Sequence, residues 1–358
     1  MQPPRTVPSD YAARRARVAA RLPSDAALVL SGGGLHTRSN DTEHRFRPDS
    51  NFFYLTGLSE PGAVLFLRGG STPHATLFVR EKDRAAEIWS GRRPGPEGAK
   101  LLTEVEEVHT LASLKPMLPK LLDGVREVHL PLHRDRTLHD QVLRASREVA
   151  RRDRRGATFP TRLADADAVM GEERLVKDSP AMESLRHAIS LSALAHREAA
   201  AHLRPGQHEY EFEARLEYVF RRHGSSGPGY GSIVGAGDNA NILHYVDNAD
   251  PIGEGELVLV DAGCEWDLFT GDITRCYPAS GRFSAPQRAL YEVVLAANVA
   301  GIEASVVGGD VNAIHERCLE VLVDGMLDLG LLKGNRAAAV ERETYKQFYM
   351  HRTSHWLG

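Results

Sequence analysis

The stretch LVLVDAGCEWDLFTGDITRCYP, residues 257–278, decides how the second half of this chain folds. Its first residues form an unbroken apolar run, which is typical of a buried strand, and a second β-rich run covers residues 268–277. One aspartate accompanies each run, Asp261 in the first and Asp272 in the second. A chain reversal at Trp266-Asp267 predicts a hairpin in which the two aspartates face each other, with Cβ atoms about 5 Å apart.

Two facing carboxylates repel each other unless a cation lies between them. The apolar approach to Asp261 indicates that its carboxylate is buried and therefore needs a partner. Two divalent metal ions about 3.5–4 Å apart would fit such a gap. The alternative is a solvated hairpin with two surface acids, because Trp-Asp is a poor two-residue turn and leaves the register open. From these residues alone both interpretations stand.

The composition argues against several classes of protein. The 358 residues are enough for two domains, and a net charge of −4 with both signs mixed favours neither nucleic acid nor a membrane as a partner. The three cysteines form neither a disulfide framework nor a CxxC motif, so we expect them to be reduced and the protein to be cytoplasmic. We expect no signal peptide and no membrane-spanning segment.

The pattern of apolar residues changes along the chain. Strand and helix patterns alternate in the first part, whereas the second part combines antiparallel strands with helices. We therefore predict an α/β domain over residues 1–170 and an α+β domain over residues 171–358. Predicted strands include Asn51–Leu55 in the first domain and 241–245 in the second.

Three histidines close to the predicted strands are candidates for chemistry. His244 lies in the β-rich stretch NILHYVDN, and His351 and His355 lie four residues apart in HRTSHWLG. That spacing binds zinc on a helix, but no glutamate follows His351, and Thr353 and Trp356 favour a strand. On a strand both rings would share a face about 13 Å apart and would line one pocket without binding the same ion. The alternative is that these are ordinary structural or surface histidines.

Several segments resemble the pita-bread metallopeptidases, and most closely the bacterial aminopeptidase P (Xaa-Pro aminopeptidase) family. The resemblance extends from about Tyr11 to Gly358. The segments that carry it are YGSIVGAGDNANILHY at 230–245, LVLVDAGCEWDLFTGDITR at 257–275, MHRTSHWLG at 350–358, SNDTEHRFRPDSNFFYLTGLSEPGAVL at 39–65 and EIWSGRRPGPEGA at 87–99.

The resemblance implies roles for individual residues. Asp261, Asp272 and His355 would be metal ligands for two divalent ions, Mn²⁺ first, with Zn²⁺, Co²⁺ or Fe²⁺ as alternatives. His244 and His351 would orient the scissile carbonyl and stabilise the tetrahedral intermediate. Two further residues would contact substrate: Tyr230 by lining the pocket, and Trp89 by reaching the active site of a neighbouring subunit. A homo-oligomer, either a dimer or a tetramer, is implied.

The implied activity is release of the N-terminal residue from peptides with proline at the second position, by attack of a metal-bridging hydroxide. The bond before proline is a tertiary amide without an N–H, so its hydrolysis needs a dedicated site. The alternatives are a prolidase, which cleaves Xaa-Pro dipeptides, and a non-catalytic pita-bread binding module.

The sequence departs from the family pattern in two places. Arg352 stands where the pattern has a glycine after the first histidine of the motif. The sequence ends three residues after His355, whereas the family continues with another pocket histidine, an arginine and a pair of glutamate ligands. We therefore expect a truncated form that is weakly active or inactive.

Overall fold

The computed structural model describes residues 10–70, 74–152 and 158–358. The chain divides into two compact units, Gln2–Met182 and Glu183–Gly358. Within the described ranges no helix is long and apolar enough to cross a membrane.

The helices and strands of these residues follow in chain order. They are α1 (Tyr11–Arg21), β1 (Ala26–Ser31), β2 (Thr37–Ser39), β3 (Thr42–Glu43), α2 (Ser50–Thr56), β4 (Val64–Arg68), β5 (His74–Val79), α3 (Arg84–Ser90), α4 (Gly95–Thr103), β6 (Glu107–Thr110), α5 (Leu114–Leu121), β7 (Glu127–Leu130), α6 (Arg136–Arg152), β8 (Arg162–Asp165), α7 (Ala166–Leu175), α8 (Ser179–Ala201), α9 (Glu209–Arg222), β9 (Gly227–Pro228), β10 (Ile233–Ala236), β11 (Leu257–Asp261), β12 (Cys264–Trp266), β13 (Phe269–Thr270), β14 (Thr274–Pro278), α10 (Ala285–Ala304), α11 (Val311–Asp328) and α12 (Arg336–Glu341). Short 3₁₀ helices cover Leu111–Ser113, Gly237–Asn241 and Thr344–Gln347.

The first unit is built around one mixed sheet with the strand order β6-β5-β4-β1-β7-β8. The central strand β1 pairs antiparallel with β4 and parallel with β7. One face of the sheet packs its apolar residues, such as Val29 and Phe66, against Leu118 of α5 and Val142 of α6. The predicted α/β class is confirmed for this unit.

The predicted strand Asn51–Leu55 is wrong, because these residues lie in α2. Asp49 caps the helix by accepting hydrogen bonds from the backbone N–H groups of Asn51 and Phe52 at 2.9 and 3.0 Å. Gly57, with a φ of 62°, ends it in the left-handed conformation that favours glycine. Every residue from Asn51 to Thr56 is buried, and a short run that is buried on all sides has no periodicity that separates helix from strand.

The second unit has two small antiparallel sheets, β10-β11-β14 and β13-β12-β9. Helices α8 and α9 pack against them, with Ala195, Phe212 and Phe220 in one apolar core together with Val258 and Val260 of β11. A second cluster joins α11 to α12. The predicted α+β arrangement of antiparallel strands and helices is confirmed.

The predicted hairpin forms, but the chain does not reverse at Trp266-Asp267. Trp266 is the last residue of β12 and pairs with Phe269 of β13. The turn is therefore Asp267-Leu268, whose φ angles of 49° and 63° are both left-handed. Such a two-residue turn matches the twist of the flanking strands.

This turn changes the register at the two aspartates. Asp261 pairs with Thr274 in the β11–β14 ladder, and Asp272 lies just before β14, outside it. The prediction that Asp261 and Asp272 are direct cross-strand neighbours is therefore wrong.

Two further predicted strands are wrong. Residues 241–245 begin at the end of the 3₁₀ helix Gly237–Asn241 and continue into a turn. Polar side chains of this loop hydrogen-bond to one another, as Asn239 does to Tyr245 and Asp250, and the backbone forms no strand ladder here. The segment 350–358 has no helix or strand. Its backbone there is tied to a helix side chain instead, since the Thr353 N–H donates to His315 of α11 at 3.2 Å.

Candidate metal centre

Asp261 and Asp272 meet at the hydroxyl of Tyr230. The Tyr230 oxygen lies 2.5 Å from Asp261 Oδ1 and 3.4 Å from Asp272 Oδ1. The backbone explains the meeting: Asp261 ends β11 opposite Ile233, at the start of β10, and Tyr230 lies just before β10. A hydroxyl has one proton, so it donates to the nearer carboxylate, and the carboxylate of Asp272 lies close by without receiving it.

The environment of Tyr230 keeps its hydroxyl protonated. Burial, the hydrogen bond to Asp261 and the charges of Asp261 and Asp272 together raise the pKa of Tyr230 far above its ordinary value. The residue therefore acts as a fixed hydrogen-bond donor between two acids at every physiological pH.

His355 extends this group on the Asp272 side. Its Nε2 lies 3.1 Å from Asp272 Oδ2, and its Nδ1 lies 2.9 Å from the carbonyl oxygen of Trp356. The carbonyl only accepts, so Nδ1 carries a proton, and Nε2 faces the carboxylate. An imidazole nitrogen and a carboxylate oxygen at this distance require a proton or a metal ion between them. The side chain of His355 is 70% exposed and that of Asp272 is 28% exposed, so the position is open to solvent.

The chemistry of this group fits a divalent ion. Two carboxylates and one imidazole are hard or borderline ligands. The backbone keeps their segments together, since the N–H of Ala262 donates to the carbonyl of Ile273 at 3.1 Å. Across the described ranges, no three His, Cys, Asp or Glu side chains are already arranged to hold a metal ion. The predicted ligands are thus linked in the order Asp261, Tyr230, Asp272 and His355, and they do not surround one common point.

A buried histidine of α8, His196, supports the backbone next to Asp261. Its Nε2 donates to the carbonyl of Ala262 at 3.0 Å, and its Nδ1 accepts from the hydroxyl of Tyr277 at 3.1 Å. Burial lowers the pKa of His196, which keeps the ring neutral and this pair of bonds intact. Sequence reasoning missed His196, because a polar residue within a long helical pattern carries no signal of its contacts.

His244 lies in a turn, not in a strand. The turn is closed by the N–H of Tyr245, which donates to the carbonyl of Ile242 at 3.3 Å, and the side chain of His244 is exposed. Within the described residues His244 makes no hydrogen bond to Asp261, Asp272 or His355. The structure therefore places it on the loop after β10 without bringing it into the acid group.

His351 and Arg352 are both exposed. The ring of His351 stands edge-on to Tyr349, with centroids 4.8 Å apart, and its Nδ1 donates to the carbonyl of Arg352 at 2.9 Å. Arg352 Nη2 donates to Asn312 Oδ1, at the start of α11, at 2.5 Å. Arg352, which stands where the family pattern has a glycine, is therefore hydrogen-bonded to a side chain of α11. Among the described contacts it forms no ion pair with Asp261 or Asp272.

Trp89 belongs to the other unit, Gln2–Met182. It lies near the end of α3, where it is 91% exposed, and its neighbour Ile88 is 82% exposed. Two large apolar side chains in succession are thus open to solvent on one short helix.

An acidic pair joined to an imidazole at the end of a buried antiparallel strand defines a candidate metallohydrolase centre. Residues 183–358 match the profile of metallopeptidase family M24, and residues 11–129 match the aminopeptidase P N-terminal domain. The chain belongs to metallopeptidase family M24, in the group that carries the aminopeptidase P N-terminal domain.

Relatives and solved structures agree over nearly the whole chain. A Xaa-Pro aminopeptidase of Haemophilus influenzae is 37% identical over 98% of this chain and 79% of its own length, and that of Escherichia coli is 35% identical over 96% and 78%. Among solved structures, the aminopeptidase PepP of Pseudomonas aeruginosa has a TM-score of 0.93 and 39% identity, covering 97% of this chain and 79% of its own. A zinc-substituted Escherichia coli aminopeptidase P in complex with product has a TM-score of 0.91 and 34% identity, covering 97% and 80%.

Proposed function

We propose that this protein is a metal-dependent aminopeptidase that releases the N-terminal residue from peptides with proline at the second position. The observation that carries the proposal is the convergence of Asp261 and Asp272 on Tyr230, beside His355. It occurs in a chain that is similar to Xaa-Pro aminopeptidases over nearly its whole length. The same similarity favours this function over a prolidase.

We assign a separate role in the reaction to each side chain of the centre. Asp261, Asp272 and His355 would hold the metal, which supplies a water of lowered pKa and hence hydroxide near neutral pH when bound. Tyr230, whose pKa is raised, holds its proton and keeps the two acids at a fixed spacing. We assign to His244 and His351, whose side chains are exposed, the orientation of the scissile carbonyl.

The proposal extends to the metal ions, the assembly and the domains. We propose two divalent ions, with Mn²⁺ as the native metal, and a cytoplasmic homo-oligomer in which Trp89 reaches a neighbouring subunit. We also propose residues 1–170 and 171–358 as the functional domains. The separate family matches at 11–129 and 183–358 support a division of this kind without placing its boundary.

The test is metal-dependent turnover by the purified 358-residue chain. After removal of metal with a chelator, release of the N-terminal residue from the peptide Arg-Pro-Pro should be absent and should return with Mn²⁺. Asp272→Asn should weaken Mn²⁺ binding, measured by calorimetry, by on the order of 100-fold, because it removes a charged ligand. The matched control is Asp328→Asn, which alters an exposed acid at the end of α11.

The substrates separate the candidate functions. Cleavage of the Xaa-Pro dipeptide alone would indicate a prolidase. Absence of both metal binding and turnover in the unaltered chain would contradict the proposal and favour a binding module.

A further inference from the structure

A buried carboxylate organises the loop that carries His244. Glu209, the first residue of α9, is fully buried. Its two carboxylate oxygens accept four hydrogen bonds, all from the end of β10 and the loop that follows it. The donors are the Ala236 N–H at 2.7 Å, Asn239 Nδ2 at 3.1 Å, the Tyr245 hydroxyl at 2.7 Å and the Asp250 N–H at 3.0 Å.

The charge of Glu209 is balanced by dipoles. Among the described residues no Lys, Arg or His forms an ion pair with it. The four donors and the N-terminus of α9 supply the partial positive charge instead. Burying a carboxylate costs free energy of folding unless its oxygens accept hydrogen bonds. The loop donors therefore stabilise the buried Glu209, and Glu209 in turn stabilises the conformation of the loop.

A second buried side chain, Asn248, ties the loop to β10 and the residue before it. Asn248 accepts a hydrogen bond from the Val234 N–H at 2.9 Å and donates to the carbonyl of Ser232 at 2.8 Å. These two groups flank Ile233, the residue that pairs with Asp261 across β10 and β11. The loop is therefore held in a fixed position relative to the strand that ends in Asp261.

His244 sits between these two anchors. Its neighbour Tyr245 is bound twice, through its hydroxyl to Glu209 and through its N–H to the carbonyl of Ile242. The hydrogen bonds of Tyr245 thus fix the backbone of His244 in a tight turn, while the ring of His244 is exposed. An exposed catalytic ring on a loop works only if that loop has one conformation, because misplacement by about 1 Å is costly in rate.

We propose that Glu209 is a positioning residue that holds the 236–250 loop and thereby sets the place of His244, an inference that rests on the function proposed above. It touches no substrate and acts only through the loop. The competing account is that Glu209 is a core anchor whose loss weakens the whole unit equally.

Two variants distinguish these accounts. Glu209→Gln keeps the shape but replaces one of the two carboxylate oxygens by an N–H₂ group, so two of the four donors lose their acceptor. Tyr245→Phe removes a single donor and leaves the buried carboxylate in place. The control is Glu213→Gln, one turn further along α9, which loses the same charge and has no hydrogen bond to this loop among the described residues.

The first measurement is amide hydrogen exchange of the metal-free chain, read by mass spectrometry. Glu209→Gln should accelerate exchange in peptides covering 236–250 by about 10-fold or more, since it breaks bonds to a charged acceptor. Tyr245→Phe should raise the exchange rate of the same peptides to a smaller extent. In this variant the exchange rates of peptides from β11 and β14 should be unchanged. Unaltered exchange over 236–250 in both variants would overturn the proposal, as would acceleration spread evenly over the unit in Tyr245→Phe.

The second measurement is a double-mutant cycle on Arg-Pro-Pro hydrolysis. Glu209→Gln should lower kcat by about 10-fold with KM within about two-fold, and in a His244→Ala background it should add less than about two-fold. An undiminished loss in that background would show that Glu209 acts elsewhere and would overturn the proposal. If the unaltered chain has no turnover, the proposed function fails, whereas the exchange comparison still decides whether Glu209 holds the loop.

Discussion

Among single residues, Tyr230 has the contact on which the rest of the centre depends. Its hydroxyl is the point where Asp261 and Asp272 come together, although only Asp261 belongs to the β11–β14 ladder. Without a metal ion, this proton offsets part of the repulsion between the carboxylates. A bound metal ion would take over that role.

Tyr230→Phe should therefore destabilise the metal-free chain more than the metal-loaded chain. The lost hydrogen bond to a charged acceptor is expected to cost about 1.5–3 kcal/mol in the free energy of unfolding, measured by urea titration with a chelator present. Saturating Mn²⁺ should shrink the difference from the unaltered protein. Tyr210→Phe, at a half-exposed position of α9, provides the control. Equal losses with and without metal would contradict this role of Tyr230.

Individual residues also mark where sequence reasoning stops. Asp261 was predictable, because an apolar run leads directly into it and a buried acid needs a partner. His196 and Glu209 were not, although both are buried, His196 holding the backbone beside Asp261 and Glu209 holding the 236–250 loop. Each occupies a helical pattern in which a polar residue is normally solvated, and only the tertiary packing shows which of them face inward.

The β12–β13 turn shows how tertiary packing overrides a local signal. Placing the reversal at Trp266-Asp267 would put the indole in the turn. In the structure Trp266 is buried instead, with its ring centroid 4.0 Å from that of His187, so the turn moves on to Asp267-Leu268. Leu268 then adopts a left-handed conformation that is uncommon for a leucine and that no propensity would suggest. A shift of this kind changes every cross-strand pair in the hairpin, which is why the strands were predictable and their register was not.

At the same scale, an ion pair within the first unit joins Arg14 of α1 to Asp178. Arg14 donates to both oxygens of Asp178, at 2.7 and 2.8 Å, and the Ala181 N–H donates to Asp178 as well. Burial of Asp178 acts to raise its pKa, but the bonds from Arg14 and the Ala181 N–H outweigh it and lower the pKa from 3.8 to about 2. Because the folded pKa lies below the unfolded one, the stabilisation is present above about pH 4 and is lost as the pH falls toward 2.

Asp178→Asn should therefore flatten the pH dependence of stability between pH 5 and pH 2. It should also lower stability at pH 7, where the charged pair is complete in the unaltered protein. Urea midpoints followed by circular dichroism over that pH range measure both effects. Asp140→Asn, at an exposed position of α6, should leave the slope unchanged. Parallel curves for the unaltered protein and Asp178→Asn would contradict the role of this pair.

For the whole molecule, the class of each half was predictable and the detailed architecture was not. Alternating strand and helix patterns indicate α/β in the first unit, and paired apolar runs flanked by helices indicate α+β in the second. Strands β6, β7 and β8 have no clear sequence signal because each has only four residues and polar residues make up half or more of each, as in Glu-Val-His-Thr at 107–110. Parallel pairing of β7 with β1 and β8 joins segments far apart in sequence, and no local pattern encodes such a neighbour.

Self-association is the last consequence that belongs to the whole molecule. Ile88 and Trp89 are consecutive and both more than four-fifths exposed, and burying such side chains gains about 25 cal/mol for each Å² removed from water. We expect a dimer or tetramer, and we expect Ile88→Ser combined with Trp89→Ser to shift it toward the monomer, as measured by sedimentation velocity. Val307→Ser, which alters a fully exposed valine of the other unit, should leave the mass unchanged. An interface at this helix would be contradicted if the unaltered chain were monomeric, or if the double variant assembled as the unaltered chain does. Either result would also contradict the contact proposed between Trp89 and a neighbouring active site.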